Sequence, residues 1–303
     1  MNRSIAVLLL VICTALWGFA FVFQKGAMDF MQPLTYIGVR YFLGSVLVLP
    51  LAIWEYRRQT TAGVTITGGQ WIRITVLSLA FFLGVWFQQA ALVTTSVTNG
   101  GFITSLYVIF TPIVTYITFR TRPHPIIYVG APAALAGIYM LTGARLDQFT
   151  IGDVQLLLCA MCWGVQVSML GALVKETGMP VFVSTVNFFA TAVLATAGAF
   201  LLETPQLGGI LDGWIPILYS GVCSTAIAFT LQAIGQQYVP PANAAIILSA
   251  ESLFAALGGA LLLHERLPPV GYAGAAVIFI AIVTVELVPA LQGRRDVTVR
   301  ESA

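Results

Sequence analysis

A chain of 303 residues that is 58% hydrophobic and only 9% charged, with a mean hydropathy of +0.91, cannot clothe itself in a water-compatible surface. Lipid must cover most of it; its formal net charge of +2 says nothing more about partners, and no nucleic-acid partner is expected. Apolar stretches near the roughly 20 residues needed to cross a hydrocarbon core recur from end to end. They leave no room for a soluble domain.

Ten spans are predicted, at roughly 4–24, 32–54, 72–93, 96–119, 126–143, 152–174, 180–202, 214–236, 241–263 and 269–288. The first resembles a signal peptide but lacks a small-x-small cleavage site followed by a soluble chain, so it is read as a retained helix. It carries Trp17 and Phe21 at i, i+4, with Gln24 beyond them. The second begins at Pro33 and holds Arg40, seven residues or roughly 10 Å in from that end. An arginine there can bind a carboxylate, snorkel to the surface, or meet an acid of another helix such as Glu251. The third span offers Trp86 and Gln89, with Gln88 beside them, and the fourth Asn99 and Tyr107.

In the fifth span Gly130 and Ala134, and in the tenth Gly271 and Ala275, form small-xxx-small faces. Spans five and ten are therefore expected to pack together as scaffold. The sixth presents Trp163 and Gln166. Its Cys159 and Cys162 have CxxC spacing without the loop a redox or zinc site uses, and read as packing residues, like Cys13 and Cys223. The ninth holds Asn243 and Glu251, the latter about 13 Å deep. An ionisable group at that depth costs on the order of 3 kcal/mol or more and demands a reason. Glu251 is the candidate proton-coupling site, with a structural carboxyl as the bland alternative.

Trp17, Phe21, Gln24, Arg40, Trp86, Gln89, Asn99, Tyr107, Trp163, Gln166 and Asn243 are the candidate substrate-binding residues: together they could stack an apolar body and bond its polar end. Taken singly, tryptophan also marks membrane interfaces, and asparagine or glutamine can merely join helices. No acidic or histidine cluster has metal-ligand spacing and no Walker loop occurs, so no metal, cofactor or direct ATP hydrolysis is expected.

Lys and Arg set the orientation. With the N-terminus inside, the cytoplasmic face receives Arg3, Arg57, Arg58, Arg73, Arg120, Arg122, Lys175, Arg294, Arg295 and Arg300, and the other only Lys25, Arg145 and Arg266. Both termini are placed in the cytoplasm of an inner (plasma) membrane.

The two halves also repeat at an offset near 145 residues. Leu16-Trp17-Gly18 matches Cys162-Trp163-Gly164, Pro33 through Arg40-Tyr41-Phe42 matches Pro180 through Asn187-Phe188-Phe189, Phe87-Gln88 matches Leu231-Gln232, Asn99 matches Asn243, and Ser105 matches Ser249. Each copy holds an odd number of spans, so the second enters the membrane from the opposite side. The units are drawn as 1–145 and 146–290, followed by a cytoplasmic tail, 291–303. Inverted repeats are a mark of secondary transporters, whose substrates bind near the midplane between the copies.

Ala15-Leu16-Trp17-Gly18, the run from Gln89-Ala90-Ala91-Leu92 through Ser96 to Leu106, Thr111-Pro112, Ala242-Asn243-Ala244-Ala245, Ser249 through Ala256, and His264-Glu265-Arg266-Leu267 resemble the EamA-type members of the drug/metabolite transporter superfamily over nearly the whole chain. That resemblance implies an all-α integral membrane protein: ten transmembrane helices as two inverted five-helix repeats around a central cavity. The family often has proline directly after the glutamate of the ninth span; Ser252 stands there in this chain, which leaves no proline to cause a kink.

The expected function is alternating-access transport, most often export, of small metabolites such as amino acids or aromatic and drug-like compounds, coupled to protons through Glu251. The expected partners are a small-molecule substrate and the bilayer, in a monomer or weak homodimer. The alternatives are an uncoupled facilitator and an intramembrane transferase. The latter would need paired acids or a histidine beside a nucleophile, whereas His124 and His264 both sit at span ends.

Overall fold

The computed structural model describes residues 1–95, 97–142, 150–262 and 269–301, with the side chains of 98, 99, 141, 142, 286 and 289–301 excepted. The described residues form ten membrane helices: α1 (Arg3–Ala27), α2 (Pro33–Thr61), α3 (Gly68–Leu92), α4 in two halves (Val97–Thr104 and Tyr107–Phe119), α5 (Ile127–Thr142), α6 (Ile151–Thr177), α7 (Pro180–Leu202), α8 (Trp214–Gln236), α9 in two halves (Pro241–Leu248 and Glu251–Leu262) and α10 (Pro269–Glu301). Eight are long and apolar enough to cross a bilayer outright, while Ile127–Met140 and Pro269–Val285 are the shorter apolar stretches of α5 and α10. Proline in the first turn starts α2, α7 and α9, where its missing N–H costs nothing. Thr67 with Gln70, and Thr150 with Asp153, close capping boxes on α3 and α6. Gly178, left-handed at φ +66°, ends α6.

Packing follows the repeat. Helix α3 lies along α6 as α1 lies along α8, and α4 crosses α6 as α9 crosses α1. The self-related pairs α2 with α7, α5 with α10 and α4 with α9 meet across the pseudo-two-fold axis. Two groups result, α1 with α8 and α9, and α3 with α4 and α6, each mixing helices of both repeats.

The crossings depend on two repeat-related glycines. A Cβ on Gly18 would lie 2.4 Å from the Phe254 Cβ of α9, and one on Gly164 would lie 2.6 Å from the Phe110 Cβ of α4. Each glycine follows a tryptophan, so a two-residue unit turns a ring inward and admits a neighbouring helix. Helices α5 and α10 pack as expected, and backbone meets backbone at Gly137, where a Cβ would lie 2.8 Å from the Gly274 carbonyl oxygen. At Gly130 a Cβ would lie 2.3 Å from Val285 Cγ2, so the α10 side chain fills the space.

Both α4 and α9 break at matched points. Leu106 N–H and Val108 N–H bond three residues back, to Ile103 and Ser105, and Ala250 and Ser252 do the same to Ile247 and Ser249. Serine hydroxyls take part: Ser105 donates to Gly101, Ser249 to Ile246, and Ser252 to Ser249, at 2.7–2.8 Å. The α9 interruption thus needs no proline at Ser252, because hydroxyls and tightened turns occupy the carbonyls.

The reciprocal ends of α2 and α7 are fixed by carboxylates. Glu203, ending α7, accepts from the Leu34 and Thr35 N–H groups of α2 at 2.7 and 2.8 Å, and Glu55 of α2 accepts from the Phe182 N–H of α7 at 2.7 Å. Each helix caps the other's N-terminus, where an anion is stabilised by the aligned N–H groups.

Candidate functional site

A small cavity lies between the two helix groups, near the middle of the bundle. It is lined by Trp17, Phe21 and Gln24 of α1, Arg40 and Tyr41 of α2, Gln88 of α3, Tyr107 of α4, Trp163, Gln166 and Val167 of α6, Ser224, Phe229 and Gln232 of α8, and Leu248 and Glu251 of α9. Its volume of about 30 Å³ holds a water or two and no more.

The walls are aromatic. Trp17 and Trp163, one from each repeat, stand 6.4 Å apart between centroids, and Phe229 packs on both at 4.5 and 5.7 Å. Tyr41 and its repeat partner Phe188 close the layer behind with Phe81.

Charge enters at two places. Arg40, 3% exposed, donates from Nε to Thr225 Oγ1 at 3.0 Å and from Nη2 to Ser224 Oγ at 2.8 Å. Its guanidinium carbon lies 5.0 Å from the Tyr41 ring and 5.9 Å from that of Tyr36, a cation–π setting. Among the described residues no carboxylate pairs with it, so the alternative in which it meets Glu251 is not what forms. Both hydroxyl partners sit in a π-helical stretch, Ser220–Phe229, inside α8. The Trp17 Nε1–H donates to the Ser224 carbonyl at 3.2 Å, a bond the wider π turn makes possible.

Glu251, 4% exposed, opens the second half of α9 beside Tyr107, which opens the second half of α4. Glu251 Oε1, the Tyr107 and Tyr41 hydroxyls and Trp163 Nε1 make no well-formed hydrogen bond among the described residues, although Tyr107 lies beside Glu251, Tyr41 beside Thr225 and Trp163 beside Cys159. Buried polar atoms are almost always bonded in a native fold, so the loosely satisfied groups that line this cavity are free to engage a water or a ligand.

Of the candidates from sequence, Trp17, Phe21, Gln24, Arg40, Tyr107, Trp163, Gln166 and Glu251 line this cavity together. Three candidates lie elsewhere. Trp86 stacks on Phe82 and Phe87 along α3. Gln89 donates to the Gln24 carbonyl at 2.9 Å, and Asn243 donates to the Val285 carbonyl of α10 at 3.3 Å. These amides join helices, which is the commoner use of such groups in membranes. The Asn99 side chain lies outside the described residues, as do His264 and Arg266. Tyr41, Ser224, Phe229 and Leu248 were not singled out; alignment with Arg40-Tyr41 and Asn187-Phe188 held a signal for Tyr41, while nothing in the apolar run of α8 announces its π turn.

Two clamps flank the cavity. At the end where α1 and α3 finish, Lys25 Nζ donates to the carbonyls of Leu92, Val93 and Thr95 at 2.6, 3.2 and 3.3 Å, capping α3. At the opposite end, where α6 and α8 finish, Gln166 and Gln232 exchange amide bonds at 3.2 and 3.1 Å, and Gln236 and Gln237 donate to the Val167 and Val174 carbonyls at 2.9 and 3.1 Å. Each clamp ties one helix group to the other, one on either side of the cavity.

Known proteins share this architecture. The chain is 31% identical over 292 residues to an uncharacterized transporter of Archaeoglobus fulgidus, covering 94% of this chain and 87% of that protein. It is 26% identical over 305 residues to the uncharacterized transporter YwfM of Bacillus subtilis, covering 96% of this chain and 97% of the other. A chain known from a crystal structure superposes with a TM-score of 0.76 at 18% identity, over 94% of this chain and 98% of that one, a likeness of fold. The model of the EamA-like transporter family matches twice, at residues 4–143 and 150–287, and with the paired helices and central cavity this makes the chain a multi-pass membrane transporter belonging to the EamA-like transporter family.

Proposed function

We propose that this transporter is a secondary exporter of small metabolites, amino acids or aromatic compounds among them, working by alternating access with Glu251 as its proton site. The observation that carries the reading is the carboxyl itself. Glu251 is the one acid lining the central cavity, is nearly fully buried, and keeps an oxygen unpartnered at the break of α9. An intramembrane acid facing a cavity is by default a transport group, since a purely structural one would be fully bonded. Discontinuous helices at the midplane belong to the same mechanism.

The closed volume of about 30 Å³ is far below the several hundred needed for a metabolite. Substrate therefore enters only when one clamp opens, and the repeat symmetry supplies a second clamp for the other face. Export, and a cytoplasmic position for the face rich in Lys and Arg, are the expectations drawn from the family and the charge distribution.

The test is flux in proteoliposomes with an imposed pH gradient, screening amino acids and aromatic metabolites, for the native chain and Glu251→Gln. The expected result is uphill movement that the variant loses while still folding and still permitting exchange. A variant that accumulates substrate as well as its parent would make Glu251 structural, and leave an uncoupled facilitator.

A further inference from the structure

The polar groups of the cavity are unevenly matched. Arg40 brings a full positive charge into a space where its described partners are neutral: two hydroxyls and two tyrosine rings. The nearby Tyr41 hydroxyl and the Trp163 Nε1–H make no well-formed hydrogen bond, with Thr225 and the Cys159 thiol beside them, and an indole N–H can only donate. A buried cation with its own counter-ion would be paired and self-sufficient; this one is held in position but not neutralised.

We propose that the substrate is a small organic acid that places one carboxylate on the Arg40 guanidinium and its apolar body between Trp17, Trp163 and Phe229; this rests on reading the cavity as the transport site. A carboxylate supplies the missing negative charge and the acceptor lone pairs that the unpartnered donors call for. A phosphate dianion is poorly served, because Arg40 is the sole cation lining the cavity. An amine without an acid group would bring a second positive charge into a cavity whose only acid is Glu251. The two tryptophans and Phe229, at centroid separations of 4.5–6.4 Å, are packed on one another now, and an aromatic or branched apolar body would replace those contacts as the cavity opens. Glu251 and Tyr107 line the same cavity, so an α-amino group is tolerated without being required.

Binding to the purified full-length protein in nanodiscs, followed by quenching of tryptophan fluorescence, separates the possibilities without any flux measurement. The probes are 3-phenylpropionate, its neutral amide, 2-phenylethylamine and phenylalanine. The acid is expected to bind, with amide and amine at least about tenfold weaker and phenylalanine within a few-fold of the acid. Arg40→Gln should abolish the preference for acid over amide, and Arg40→Lys should keep part of it, with unchanged thermal unfolding certifying the fold. Equal binding of acid and amine, binding of phenylalanine alone, no binding by any probe, or an Arg40→Gln protein that folds and keeps the preference would each overturn the assignment. Because the native protein against four probes already decides the charge rule, a variant that fails to fold leaves the test intact. Acid binding without proton-coupled flux would sink the coupling proposed for Glu251 and leave this inference standing; coupled flux of non-acids without acid binding would do the reverse.

Discussion

The two repeats share a scaffold and differ in chemistry. Gly18 and Gly164 admit a crossing helix in the same way, α2 and α7 cap each other with Glu203 and Glu55, and α4 and α9 break at Ser105 and Ser249. At the cavity the match ends. Tyr107 in the first copy corresponds to Glu251 in the second, and Arg40 to Asn187, which accepts a bond from Ser78 at 2.7 Å and lies outside the cavity. Packing constrains both copies equally because each must bury the same faces. A ligand that presents one carboxylate, by contrast, calls for one cation, and a second buried cation would be left unmatched.

The largest expected effect tests the shared scaffold. Gly18→Val and Gly164→Val each force side-chain atoms against a neighbouring helix, so each should destabilise the protein by at least about 2 kcal/mol. Thermal unfolding in detergent measures both, and a large loss for one with none for the other would show that the copies do not carry the fold equally.

A smaller effect sharpens the difference between the clamps. Lys25 holds three carbonyls with a full charge, whereas Gln236 and Gln237 hold theirs with neutral amides, and charge-assisted bonds are roughly twice as strong. In a protein whose only cysteine is Phe21→Cys, Lys25→Met should raise labelling by an impermeant maleimide from the Lys25 face by several-fold, on the order of one kcal/mol of clamp energy. Gln237→Met should change labelling from the opposite face less. Equal responses would mean that the clamp at Lys25 contributes nothing through its charge.

The smallest effect lies outside the symmetry. Arg73 and Glu176 pair across α3 and α6 with side chains 32% and 40% exposed, and nothing in the other repeat matches them. Replacing Arg73 with Gln should shift stability by less than about 0.5 kcal/mol. A shift of several times that in a melting experiment would promote this pair to a structural tie between the groups.

Hydropathy and the internal repeat made the ten helices, their inverted order and the α5–α10 pairing legible in the sequence, because each rests on properties that act along the chain: apolar length, odd span number and small-residue spacing. Glu251, Arg40 and the two Trp-Gly units were legible for a related reason, since a charge or a ring beside a glycine stands out within an apolar helix. The sequence favours Gln89 over Gln88, whereas Gln88 faces the cavity and Gln89 joins α3 to α1. A 100° step decides between them, and it depends on how α3 is rotated by its neighbours. Nor could it foresee the π turn that brings Ser224 and Thr225 to Arg40, or that Lys25 caps α3 instead of facing water. Those are contacts between residues 67 to 185 positions apart. Only the packed arrangement of the helices sets such distances, and with them which buried groups are satisfied and which are left for a ligand.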